Sequence, residues 1–245
     1  PEIEIIADET LEEETKVKLE EFLKKWFADY INELLGDLVN LTKKKIDNQY
    51  LRALAFQLFE KNGVIKRKEI DNIVKLIPSE ERKKLWTMGI KIGRYHIYLP
   101  KMLKPKAVEF RISLWRIFYQ PANIDEIPKF GLNFIENKNY DKKFLLLCGF
   151  ENFKEYFVRI DILEKLFIKI LDNTKDRKFK INSEMMNLLG CTKENFYKLM
   201  TYMDYKKDKT IDTYVFKGER KVIKKFIKFD KKENPFKKLL SLNIK

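Results

Sequence analysis

Residues 89–115, GIKIGRYHIYLPKMLKPKAVEFRISLW, constrain the chain more tightly than any other stretch. Gly89 and Gly93 permit tight or unusual backbone geometry. Residues 90–99 are rich in β-branched and aromatic side chains and read as a strand. Pro100 ends that strand. Pro105 opens a helix at its first position, where a missing N–H costs nothing. The helix runs to about Tyr119 with Val108, Ile112 and Trp115 inward, and Pro121 stops it. Basic side chains recur throughout: Lys91, Arg94, Lys101, Lys104, Lys106 and Arg111.

Upstream, apolar residues at three- and four-residue steps mark residues 11–39 as a long helix. Leu19, Phe22, Trp26, Tyr30 and Leu34 read as its buried seam, and Glu12, Glu13 and Glu14 complement the helix dipole. A second helix over residues 48–61 turns Leu51, Leu54, Ala55 and Leu58 inward, and Gly63 suits the left-handed position after it. A short strand at 64–65 follows, then a helix over 66–77. Ser79 reads as the cap of a fourth helix that ends near Met88. Trp26, Trp86 and Trp115 sit on apolar helical stripes and read as core. Helix, strand, helix, helix, strand is the order of a winged helix, and it also occurs in plain helical bundles.

Downstream, residues 121–143 mix Pro, Gly and Asn without periodicity and read as a connector. Asp161 and Glu164 have the spacing of a capping box at the start of a helix that carries Leu163, Leu166, Phe167 and Ile170 inward. A strand at 179–181 comes next, and Ser183 and Thr192 each precede a helix. Helix 193–203 turns Phe196, Leu199, Met200 and Met203 inward and leaves Lys193, Tyr197 and Lys198 outward. Residues 210–216 read as the closing strand. The expected architecture is mainly α with small β elements, in two helical units of winged-helix-like order. The units span residues 1–120, with the strand at 90–99, and residues 144–218; a basic tail occupies 219–245. Residues 2–6 fit a further short strand.

Charge narrows the function classes. The chain carries +14 overall, yet residues 1–40 hold 4 Lys and 12 Asp or Glu, so residues 41–245 carry +22. A basic body suits a polyanionic partner. Cys148 and Cys191 form no CxxC pattern, and the single histidine excludes His-based metal clusters. No GxxxxGK[S/T] phosphate loop and no acidic strand-end magnesium motif is present, so no ATP motor is expected, and with nothing resembling a nucleophile elbow no catalytic site is expected in this chain. No apolar run approaches the ~20 residues of a membrane span. The acidic N-terminal segment resembles neither a signal nor a transit peptide, and the expected location is cytoplasmic. In strand parity Arg94, His96 and Tyr98 share one face. With Lys91, Lys101 and Lys104, and with Lys193, Tyr197 and Lys198 of the later helix, they are the candidate nucleic-acid contacts, because cations meet phosphates and rings meet bases.

Several blocks carry a family resemblance. MGIKIGRYHIYLPKMLKPKAVEFRISLW, LRALAFQLFEKNGVIKRKEIDNIV, CGFENFKEYFVRIDILEKL, INSEMMNLLGCTKENFYKLM and NPFKKLLSLNIK stand in the order of similar blocks in one helicase family. The chain resembles the C-terminal accessory region of alphaproteobacterial superfamily 2 helicases, which are similar to the mitochondrial degradosome RNA helicases. The resemblance implies a nucleic-acid-binding accessory region acting on RNA. It places ATP and magnesium in motor domains upstream of residue 1, which would be this region's partners, and puts no cofactor in this chain. Two other readings stand beside it: a scaffold docking a motor or other protein through the apolar face of helix 11–39, and an independent winged-helix DNA regulator.

Overall fold

In the computed structural model, which describes residues 12–43, 45–121, 125–137, 139–209 and 212–215, the long N-terminal stripe forms α1 (Glu13–Lys43). Only its C-terminal half is core: Leu35, Leu38 and Leu41 are buried. Phe27 and Tyr30 meet the Phe110 ring edge-on. Beyond them Phe22 is 64% exposed and Trp26 is 52% exposed, and Trp26 stacks along its own helix on Tyr30 at 5.4 Å. The expected seam is therefore buried at one end only, because the 31-residue helix outruns the elements packed on it among the described residues. The strand expected at residues 2–6 and the tail at 219–245 lie outside the described residues.

Next come α2 (Gln49–Glu60), β1 (Val64–Lys66), α3 (Arg67–Leu76), α4 (Ser79–Thr87), β2 (Lys91–Ile92) and β3 (His96–Tyr98). Asn48 caps α2, its side chain accepting the Tyr50 and Leu51 N–H groups. Pro78, with extended backbone, occupies the cap position of α4, so Ser79 is its first helical residue and makes no side-chain cap. The stretch 90–99 is a hairpin rather than one strand: β2 and β3 pair antiparallel, with Lys91 opposite Tyr98 and Ile92 opposite Ile97. β1 joins on the other side of β3, giving sheet order β1-β3-β2. Leu51, Leu54, Ala55, Leu58, Ile97 and Leu99 close one core beneath this sheet.

A 3-10 turn (Pro100–Leu103) leads into α5 (Pro105–Tyr119), where Val108 and Ile112 are buried as expected. Arg111 is not at the surface. It is 3% exposed and donates to the carbonyls of Asn62, Met102 (3.2 Å) and Leu147 (2.5 Å), fastening three chain segments. Burial pushes its pKa down to about 10.

The region read as a connector contributes β4 (Phe134–Glu136) and the start of α6 (Lys142–Leu147). β5 (Phe150–Phe153) and β6 (Tyr156–Arg159) complete a sheet of order β4-β6-β5. Then follow α7 (Ile160–Asp172), β7 (Thr174–Lys175), β8 (Lys178–Lys180), α8 (Ser183–Leu189), α9 (Lys193–Tyr202), β9 (Lys206–Lys207) and β10 (Thr213–Val215). Their sheet has order β7-β8-β10-β9. The protein is mainly α, with small antiparallel sheets. One arrangement occurs twice. In α2-β1-α3-α4-β2-β3 and in α7-β7-β8-α8-α9-β9-β10, the strand before the second helix pairs with the last strand, which pairs with the one between them, and the second series adds β7 at its sheet edge.

Candidate nucleic-acid interface

Gly93 and His96 close a two-residue loop, the Gly93 N–H donating to the His96 carbonyl at 2.8 Å. Buried amide groups need acceptors. Glu164 of α7, 3% exposed, supplies them: it accepts the Arg94 N–H at 2.5 Å on Oε2, and the Tyr95 and His96 N–H groups at 2.8 and 2.9 Å on Oε1. A Cβ on residue 93 would fall on that carboxyl group, which restricts the position to glycine. No capping box forms at α7. Arg159 holds the cap position and its guanidinium binds Asp161 through two hydrogen bonds of 2.6 and 2.9 Å, while Glu164 faces the hairpin.

His96 and Tyr98 are each 1% exposed, so neither reaches a phosphate. This corrects their assignment as contacts. Strand parity fails because 91–98 bends back on itself and Glu151, Ile160 and Glu164 of β5 and α7 cover the face read as open. Tyr98 packs with Val64 and with Ile160 at the start of α7, and burial raises its pKa. His96 Nε2 lies 2.6 Å from Glu151 Oε2, and Glu151 Oε1 accepts from Lys66 at 2.6 Å. His96 Nδ1 makes no hydrogen bond and lies 3.8 Å from Glu164 Oε1. Burial disfavours the imidazolium, but the hydrogen bond to Glu151 and the nearby Glu164 carboxylate outweigh it and raise the His96 pKa. Burial would likewise raise Glu151, whereas His96 and Lys66 hold it below its ordinary value. The site is an ionic joint that ties the 91–98 hairpin and β1 to β5 and α7.

The other candidates are distributed over the surface. Lys91 is half-buried, with its ammonium 5.9 Å from the Tyr98 ring centroid. The Arg94 guanidinium lies 5.5 Å from the Phe167 ring centroid. Lys101 is exposed and pairs with Asp37 at 2.9 Å; Lys104 is exposed at the start of α5. Exposed pairs of this kind contribute little to stability and leave the cation accessible.

In the second unit, Gly190 in the left-handed region ends α8, and the Thr192 side chain accepts the Asn195 N–H to start α9. The Lys193 and Lys207 ammonium groups lie 5.5 and 5.4 Å from the Tyr197 ring centroid. The Tyr197 hydroxyl donates to Asp212, which also binds Lys193 at 3.1 Å. Lys198 is exposed and pairs with Glu194 at 3.3 Å. Beside α9, the sheet and its turns expose Lys175, Lys178, Lys180, Lys206, Lys207 and Lys209. Asp208 takes Lys178 at 2.7 Å. This arrangement presents several cations around one half-buried aromatic ring, which suits a polyanion with planar groups.

Sequence reasoning missed Glu151, and it read Glu164 as a local cap. Each acts across about 55–70 residues, and nothing in the local pattern marks such a partner. Among the described residues, no group of three or more His, Cys, Asp and Glu is placed to hold a metal ion, and no helix is long and apolar enough to cross a membrane. Comparison with protein-family models, with curated proteins and with solved structures returns no match.

Proposed function

We propose that the chain is a nucleic-acid-binding accessory region of a cytoplasmic ATP-dependent superfamily 2 helicase, directed at RNA, with winged-helix units as its binding modules. ATP and magnesium belong to motor domains outside this sequence. The observation that carries the proposal is the surface of the second unit. α8 and α9 are joined by a three-residue turn containing left-handed Gly190, the form of a helix-turn-helix, whose second helix meets nucleic acid. α9 presents Lys193, Tyr197 and Lys198 beside the lysine-rich sheet. The same order in α2-β1-α3-α4-β2-β3, apart from the edge strand β7, supports two such modules in tandem. RNA is favoured over DNA by the helicase resemblance alone.

The test is fluorescence anisotropy of labelled single-stranded RNA, single-stranded DNA and duplexes across a range of salt. Binding to all of them that weakens steeply with salt supports the proposal. Binding confined to one duplex sequence would favour the DNA regulator instead.

A second reading has its own observation. Among the described residues, Leu19, Phe22 and Trp26 expose an apolar stripe on the N-terminal half of α1, which suits docking of the motor domains. It is compatible with the first reading.

A further inference from the structure

Trp86 falls on an apolar helical stripe, yet it is 76% exposed. It stands on α4, the third helix of the α2-to-β3 arrangement, one turn after Arg82. A cleft of about 250 Å³ opens beside it, lined by Arg67, Arg82 and Trp86 over Val74, Leu85 and Ile92. Among the described residues, two guanidinium groups and no carboxylate line the cleft. Arg67 is committed: it donates to the Gly93 carbonyl at 2.9 Å and lies 3.5 Å from Asp71. Arg82 is lightly held, with long hydrogen bonds to the carbonyls of Ile77 (3.3 Å) and Val74 (3.5 Å). Two of its five donors are used there, and three are left for an anion. The α7-to-β10 arrangement has the matching pattern on its own third helix, α9, where Lys193 stands one turn before Tyr197.

We propose that this cleft is a subsite for one unpaired nucleotide of a single strand, the base lying on the Trp86 indole and a phosphate on Arg82. The inference rests on the nucleic-acid-binding reading. An open indole suits an unstacked base, whose flat face every nucleotide offers, and the adjacent guanidinium suits the phosphate that follows. A duplex keeps its bases stacked, so the subsite favours single strands over duplexes.

The test is anisotropy with a labelled oligouridine strand, run at several salt concentrations on the wild type and on Trp86→Ala, Trp86→Phe, Arg82→Ala and Arg82→Lys, with a thermal melt of each. Trp86→Ala should weaken binding about 5- to 150-fold, the range for losing one base stack, and leave the salt slope unchanged. Trp86→Phe keeps a ring and should retain most of the affinity. Arg82→Ala should make the slope shallower by about 0.7, and Arg82→Lys should restore it. Melting temperatures should stay close to wild type for both Trp86 variants, because the ring is exposed. Wild-type binding that Trp86→Ala leaves untouched would overturn the subsite and leave the broader reading standing. Absence of wild-type binding would overturn both.

Discussion

The Glu164 carboxylate accepts the Tyr95 N–H at 2.8 Å across 69 residues of sequence. One acidic side chain of α7 thus sits inside the β2–β3 hairpin loop, and the neighbouring Arg94 and His96 amides share it. The stretch that looked most like a binding surface is largely a joint.

Removing the Glu164 carboxylate should cost about 1–3 kcal/mol, since the buried His96 amide loses its charged acceptor and the part-buried Arg94 and Tyr95 amides must turn to water. Gly93→Ala should destabilise by about 1–3 kcal/mol by forcing a methyl onto that carboxylate. The two effects should not add. In a Glu164→Ala background the methyl has room, and Gly93→Ala should cost less. Urea titrations of the four proteins in this cycle check this coupling, and strict additivity would count against the joint.

The ionic pair predicts a pH dependence with a definite sign. The His96 pKa is raised above 6.5, so its stabilisation is complete below about pH 6.5 and is lost as pH rises through the folded value. The Glu151 pKa is lowered from 4.5, so its stabilisation is present above about pH 4.5 and is lost as pH falls further. The pair therefore stabilises most between these limits. His96→Gln should cost more stability at pH 6 than at pH 9, measured by urea unfolding relative to wild type. An equal cost at both would mean that the imidazole is neutral in the fold.

Trp26→Ala should cost less than about 1.5 kcal/mol, because half of the ring already faces solvent. Leu54→Ala, at a fully buried position of α2, should cost about 2–5 kcal/mol. Thermal melts of the two variants give the comparison, and a reversed order would mean that the free half of α1 is covered in solution.

The legible parts of the fold were those written in local patterns. Asn48, Pro105 and Gly190 each mark an end of a helix, and the structure places those ends within a residue or two of the sequence reading. The hairpin at 91–98 was hidden because IKIGRYHIYL lacks the Asn-Gly type of turn pair, its bend being held from outside by Glu164. Trp86 was misread for a related reason. Periodicity shows that a side chain lies on an apolar face, but not whether another element covers that face. Basic residues were equally undecided: Arg111 and Lys104 look alike in sequence, yet one is sealed under three carbonyls and the other is exposed.

The salt dependence of binding to single-stranded RNA tests the central claim most directly. Wild-type protein should bind with a strongly negative slope of log affinity against log salt. Lys101→Ala with Lys104→Ala should make that slope shallower by about 1.4, since each phosphate contact on a single strand contributes about 0.7. Both side chains are exposed, so the melting temperature should barely move. A wild-type protein that fails to bind RNA, or binds it without dependence on salt, would contradict the account.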